Sequence, residues 1–189
     1  MSFSLFVAAL LLAALVIADF FVPMLPSATT IAAIAGFLIG NTVLIATLVV
    51  CVAAASWIGD VLGYRVLRFT RRKWRRPLFG SAKAAALEAR FRQTLTRHPG
   101  VTTLVARFLP AGRTALAWAA TATPGYRHGL MAAMAAVIWA CYLVGIGLMI
   151  GWIFGPGLLS VATTITSVAA GSVVMGWWFK VRRAEQPTR

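Results

Sequence analysis

Residues 101–123 read VTTLVARFLPAGRTALAWAATAT, an apolar stretch with Arg107, Pro110, Gly112 and Arg113 set into its middle. Proline removes an internal hydrogen bond from a helix, and a nearby glycine loosens the backbone further. Neither side of the break can cross a hydrocarbon core, which takes about 20 residues. A stretch of this kind enters a membrane and leaves by the same side, as a re-entrant hairpin.

The remaining chain argues for the membrane itself. Of 189 residues, 60% are hydrophobic and only 12% charged, about half the charged share of a soluble domain. Mean hydropathy is +0.85. Residues 3–21, 42–67, 129–154 and 157–179 are apolar runs long enough to span. Residues 28–39, which follow Pro23 and Pro26, are too few. The N-terminal run lacks a basic segment ahead of it, so it reads as an uncleaved first helix rather than a signal peptide.

Eighteen Lys and Arg face four acids, Asp19, Asp60, Glu88 and Glu185, for a net charge of +14. Nucleic-acid binding would need these cations on a soluble face. Instead they crowd into a loop at about 65–98 and into the C-terminal tail, at the ends of apolar runs. Cytoplasmic anchoring against anionic head groups accounts for that placement. Within the loop, Ser81 can cap a helix with Ala84, Leu87, Phe91 and Leu95 on one face. Lys83, Arg90 and Arg97 fall on another, the pattern of an interfacial amphipathic helix.

Parity then fixes the topology. Three apolar segments lie between the basic loop and the basic tail, and an odd number of crossings cannot join one side to itself. The broken segment, about 101–124, is the one that turns back. Counting backwards from the loop, a hairpin at about 20–40 enters from the opposite side and the N-terminus is cytoplasmic. The hairpins resemble each other: Phe21 and Pro23 recur as Phe108 and Pro110, Ser27-Ala28 as Thr114-Ala115, and Gly36-Phe37 as Gly125-Tyr126. The expectation is an all-α membrane protein with about four transmembrane helices and two re-entrant hairpins in an inverted-topology repeat. Broken helices in such folds meet near the midplane and line a cavity. Residues 1–183 form a single transmembrane domain and 184–189 a cytoplasmic tail.

Arg107 and Arg113 are the leading site residues. A charge at membrane depth costs at least ~2.5 kcal/mol, so it pairs or lines a cavity. The break at Pro110 and Gly112 lets both guanidiniums converge on one anion, and the arginine fork suits phosphate. The competing account is internal pairing with Asp19 and Asp60, the acids of the apolar runs, which could instead carry a coupling proton. Asp60 is expected to bridge to Arg65 or Arg68. Ser27, Thr29, Thr30 and Thr114 could donate to a head group or satisfy carbonyls freed by the prolines. His98 and His128 read as solvated loop residues, and Cys51 and Cys141 as buried small hydrophobes. The pattern calls for no metal and no cofactor.

Several of these motifs resemble the DedA family, also described as the VTT or SNARE-associated Golgi protein domain, over about residues 19–151. Asp19 through Ala28 looks like its acidic-x-x-x-Pro-x-x-Pro hairpin, and Gly59-Asp60 with Tyr64 like its Gly-Asp-x-x-x-Tyr motif. Arg107 through Thr114 looks like its Arg-Phe-x-Pro-x-x-Arg-Thr signature. Trp139, Gly145 and Gly151 match the helix that follows. The family usually has Glu where Asp19 stands and a second acid where this chain has Ala28. The resemblance implies a non-enzymatic lipid transporter of the bacterial cytoplasmic membrane, both termini cytoplasmic. Its cargo would be an anionic phosphate-bearing lipid, undecaprenyl phosphate above all, with proton-motive-force dependence in some members. It also admits a phospholipid translocase such as one for phosphatidylethanolamine, and a homo-oligomer. A membrane scaffold is the non-transporting alternative. A lipid phosphatase would need a nucleophile with acid–base partners, and no His stands near Ser27 in sequence.

Overall fold

The computed structural model describes residues 2–21, 27–74, 82–109, 112–155 and 166. Its elements are helices: α1 (Ser2–Ala18), α2 (Ser27–Phe37), α3 (Thr42–Trp74), α4 (Ala82–Arg97), α5 (Pro99–Arg107), α6 (Gly112–Ala120) and α7 (His128–Phe154). No strand occurs among the described residues, and the all-α class is as expected. Within α3 the stretch Thr42–Arg72, and α7 over its whole length, are long and apolar enough to cross a bilayer, each with hydropathy 2.2. The 27 residues of α7 rise about 40 Å, more than the ~30 Å hydrocarbon core. The expected run at 157–179 and the tail at 184–189 lie outside the described residues. So do Pro23, Pro26, Ser81 and Pro110.

Local signals set the helix ends. Asn41 caps α3, its Oδ1 accepting from the Leu44 N–H at 3.1 Å, and Gly40 supplies the positive φ of +89° that the preceding turn needs. Pro99 opens α5 at a position where its missing N–H costs nothing. It also disfavours helix at His98, which ends α4. The N-terminal apolar run continues to Phe21, but α1 stops at Ala18. Asp19, Phe20 and Phe21 follow as turns, with Phe20 N–H donating to the Ile17 carbonyl and Phe21 N–H to the Ala18 carbonyl.

The chain forms two compact units, Met1–Ser27 with Ala46–Tyr142, and Ala28–Ile45 with Leu143–Arg189. In the first, α5 and α6 are nine residues each, or about 13 Å, and pack on each other and on α4. Leu95, Ala106, Leu116, Ala119 and Ala120 form their shared core, with Phe91, Tyr64 and Tyr126 packed against it. The apolar face of α4 is thus covered by protein at Phe91 and Leu95, where an interfacial helix would have met lipid. Arg71 and Glu88 pair at 2.9 Å, and Glu88 also accepts from the Trp118 indole N–H at 2.9 Å. These bonds tie α3 and α4 to the end of α6.

In the second unit, α2 lies against the end of α7 through small residues. A Cβ on Gly147 would strike the Ala32 carbonyl and come within 2.8 Å of Ala35 Cβ. One on Gly151 would come within 2.8 Å of the Gly36 backbone. Four-residue spacing on both helices gives a small-xxx-small fit, the close approach by which helices associate without a hydrophobic drive.

Candidate functional site

The site lies wholly in the first unit. Ser56 and Asp60 stand one turn apart on α3 and project from the same side. Arg107 is the last residue of α5, and Arg113 is the second of α6. Between them the chain turns through Phe108 and Leu109, with Leu109 N–H donating to Ala106 O at 3.3 Å and Gly112 N–H to Leu109 O at 2.9 Å. Gly112 is required there: a Cβ would run into the Ala106 carbonyl. The end of α1 brings Asp19.

Asp60 receives both arginines. Its Oδ2 makes a very close ion pair with Arg107 Nη2, and its Oδ1 accepts from Arg113 Nε at 2.9 Å and lies 2.8 Å from Arg113 Nη2. Arg107 Nη1 also donates to Ser56 Oγ at 2.6 Å, and Nη2 to the Ala132 carbonyl at 3.3 Å. Arg113 Nη1 reaches Asp19 Oδ2 at 3.2 Å, and its Nη2 reaches the Ser56 carbonyl at 3.3 Å. Trp139 lies under the Arg107 guanidinium at 5.9 Å, and Phe20 under that of Arg113 at 5.6 Å. Two cations meet two carboxylates, so the cluster carries no net charge when all four are ionised.

This arrangement corrects two expectations. Asp60 does not bridge to Arg65 or Arg68, which are exposed; it shares the inward side of α3 with Ser56 and meets the arginines from α5 and α6. His128 is not a solvated loop residue. It begins α7, is 5% exposed, and stacks on Tyr64 with ring centroids 4.5 Å apart. Its Nε2 lies 3.3 Å from the Asp60 carbonyl. Buried Thr103 sits beside it. Its hydroxyl donates to Pro99 O at 2.6 Å, so the Tyr126 hydroxyl must donate to Thr103 at 2.5 Å.

Other hydroxyls serve the backbone or lie elsewhere. Thr114 donates to the Phe20 carbonyl at 3.2 Å, tying α6 to the end of α1. Ser27 is buried and hydrogen-bonds Asp19. Thr29 and Thr30 are half-buried on α2 in the second unit. Cys141 is exposed and Cys51 half-buried, and they form no disulfide with each other. Cys141 shares the outward face of α7 with Val137, Ile138 and Tyr142, which is why the buried reading fails for it. Among the described residues no group of three His, Cys, Asp or Glu could hold a metal.

Asp60, Thr103, Arg107, Arg113, Leu116, His128 and Ala132 enclose a cavity of about 10 Å³, room for roughly one water. The arginines are paired with the two aspartates around it. Arg113 is the more accessible, its side chain 12% exposed against 2% for Arg107. Ser56 and His128 are the residues that sequence reasoning missed. The available signal for Ser56 was a hydroxyl one helical turn before Asp60 in an apolar run. Compared with known proteins, the chain matches no family model, no curated protein and no solved structure.

Proposed function

We propose that this chain is a multi-pass membrane transporter that moves a phosphate-bearing lipid across a bilayer, with undecaprenyl phosphate the foremost substrate. The observation that carries the reading is the buried cluster of Asp19, Asp60, Arg107 and Arg113 at a helix break. Such a cluster is costly to bury, and intramembrane ionisable groups mark substrate or ion pathways. Large apolar side chains on the outside support it. Val50, Phe69, Met134, Ile138 and Trp152 face outward while Ser56, Asp60, Arg107 and His128 are buried. The motif resemblance to the DedA family supplies the substrate class.

In this reading the chain crosses the membrane about four times, with both termini cytoplasmic. The hairpin around Arg107–Arg113 enters from the cytoplasmic face, and the one around Asp19 from the other. Asp60 stands about 27 Å along α3 from Thr42, near the basic, cytoplasmic end of its apolar stretch. A lipid phosphate approaching from that side displaces Asp19 and takes Arg113 Nη1, while Nε and Nη2 stay on Asp60 and the Ser56 carbonyl and the lipid tails stay in the bilayer. Arg107, held by Ser56, Asp60 and Ala132, keeps the hairpin in place. A phospholipid scramblase would use the same site with a different head group.

Full internal pairing of the arginines favours one second reading, a scaffold in which the cluster only holds helices together. Translocation of a fluorescent polyprenyl phosphate in proteoliposomes separates the two. Transport above that of empty liposomes, reduced in a folded Arg113→Gln variant, supports the transporter. No transport of polyprenyl phosphate or phospholipid by the folded wild type overturns it in favour of the scaffold.

A further inference from the structure

We infer that His128 is a proton-binding member of the cluster, and that the proton it takes up makes the cluster an anion site. The inference rests on the anion-carrying role proposed for Arg113. Among the described residues, His128 Nδ1 is the buried side-chain nitrogen or oxygen without a hydrogen-bond partner, and its ring lines the cavity beside Arg107 and Arg113. Beside a cavity with room for roughly one water, its lone pair is open to a water or a proton.

The tautomer follows from the partners. A carbonyl only accepts, so Nε2 carries the hydrogen toward Asp60 O and a neutral ring leaves a lone pair on Nδ1. The groups around the ring are Asp60 and Tyr64 from α3, Thr103 and Arg107 from α5, Arg113 and Leu116 from α6, and Tyr126 at 5.9 Å from the loop before α7. Neighbouring Arg127 is exposed. The carboxylate of Asp60 is already engaged by Arg107 and Arg113. A proton on Nδ1 turns a balanced cluster into one with a surplus positive charge that no nearby carboxylate is free to offset. An anion from outside can offset it. Proton and anion then favour each other by the same factor, so anion affinity rises as pH falls through the imidazole titration and levels off below it.

The chain has two histidines, which makes the test clean. In the detergent-purified protein labelled with ¹⁵N-histidine, His98→Gln assigns the remaining imidazole to His128. Its titration should move to higher pH when a short-chain prenyl phosphate is added; a titration unmoved by bound ligand would overturn the inference, and this readout needs no change at His128. Calorimetry of the same ligand between pH 5.5 and 8 should give affinity about tenfold tighter at low pH in the wild type, an ordinary coupling. The dependence should flatten in His128→Gln, which keeps an N–H for Asp60 O but cannot titrate. The ligand's own titration is common to both proteins and cancels. Inorganic phosphate in a parallel titration tells a free-phosphate site from a lipid one. Equal pH profiles in the two proteins sink the proton site alone. Absence of prenyl phosphate binding at every pH sinks the proposed function and this inference together.

Discussion

Arg113 donates to Asp19 across 3.2 Å and 94 positions of chain, and this is the longest and most exposed ion pair of the buried cluster. Its side chains are 12% and 17% exposed, against 2% and 7% for Arg107 and Asp60. Partly solvated pairs contribute little, whereas breaking a buried one strands a charge. The two aspartates should therefore differ sharply. Asp60→Asn takes away the carboxylate both arginines share and should cost about 3–5 kcal/mol. Asp19→Asn should cost about 1 kcal/mol or less. Thermal melts in one detergent would measure both, and equal losses would refute the graded cluster.

The two arginines should part in the same way under Lys substitution. Both engage several nitrogens, but Arg107 is 2% exposed against 12% for Arg113, so a single ammonium in its place strands buried Ser56, Asp60 and the Ala132 carbonyl without a full set of donors. Arg107→Lys should lower the folded yield on size exclusion. Arg113→Lys should fold but translocate polyprenyl phosphate at least about tenfold more slowly, the loss of one charge-assisted bond being about 1.5–3 kcal/mol. Wild-type transport by Arg113→Lys would remove Arg113 from substrate binding.

What the sequence disclosed and withheld follows one physical line. Apolar run length and basic clustering give α3, α7 and the broken segment, because those are local properties. The partners of a charge are not local. Asp60 has Arg65 and Arg68 within eight residues, yet its side of α3 faces inward, so tertiary contacts override sequence proximity. His128 sits between Arg127 and Gly129, a polar loop by composition, and its burial depends on a helix 68 positions earlier. The end of α1 at Ala18 likewise could not be read from a run of apolar residues that continues to Phe21.

Glycine spacing on α7 offers a test away from the charges. Gly147 and Gly151 face the α2 backbone, while a Cβ on Gly145 would meet open space. Gly147→Ala and Gly151→Ala should each cost about 1–3 kcal/mol as overpacking. Gly145→Ala should be neutral or slightly stabilising through helix propensity. Melting curves of the three variants decide it; a Gly145→Ala loss as large as the others would make the effect one of the helix itself and not of its contact with α2.

The topology carries the largest stake, since the opposed hairpins depend on it. Single cysteines, introduced after Cys51 and Cys141 are replaced by Ala, report which side of a sealed vesicle each position faces. Asn41→Cys removes the α3 cap at a cost of about 1 kcal/mol, which leaves the position usable. Gly155 is a poor choice because its φ is +76°, so Phe154→Cys at the exposed end of α7 stands in for it. Ser81→Cys reports the basic loop and Arg127→Cys the exposed approach to α7. Parity requires that 41 and 154 react with an impermeant maleimide from outside, and 81 and 127 from inside. External reaction at 81 would overturn the placement of the basic loop. Internal reaction at 81 with external reaction at 127 would mean that residues 101–123 cross the bilayer. A re-entrant hairpin would then be ruled out there, and with it the route by which a cytoplasmic lipid phosphate reaches Arg113.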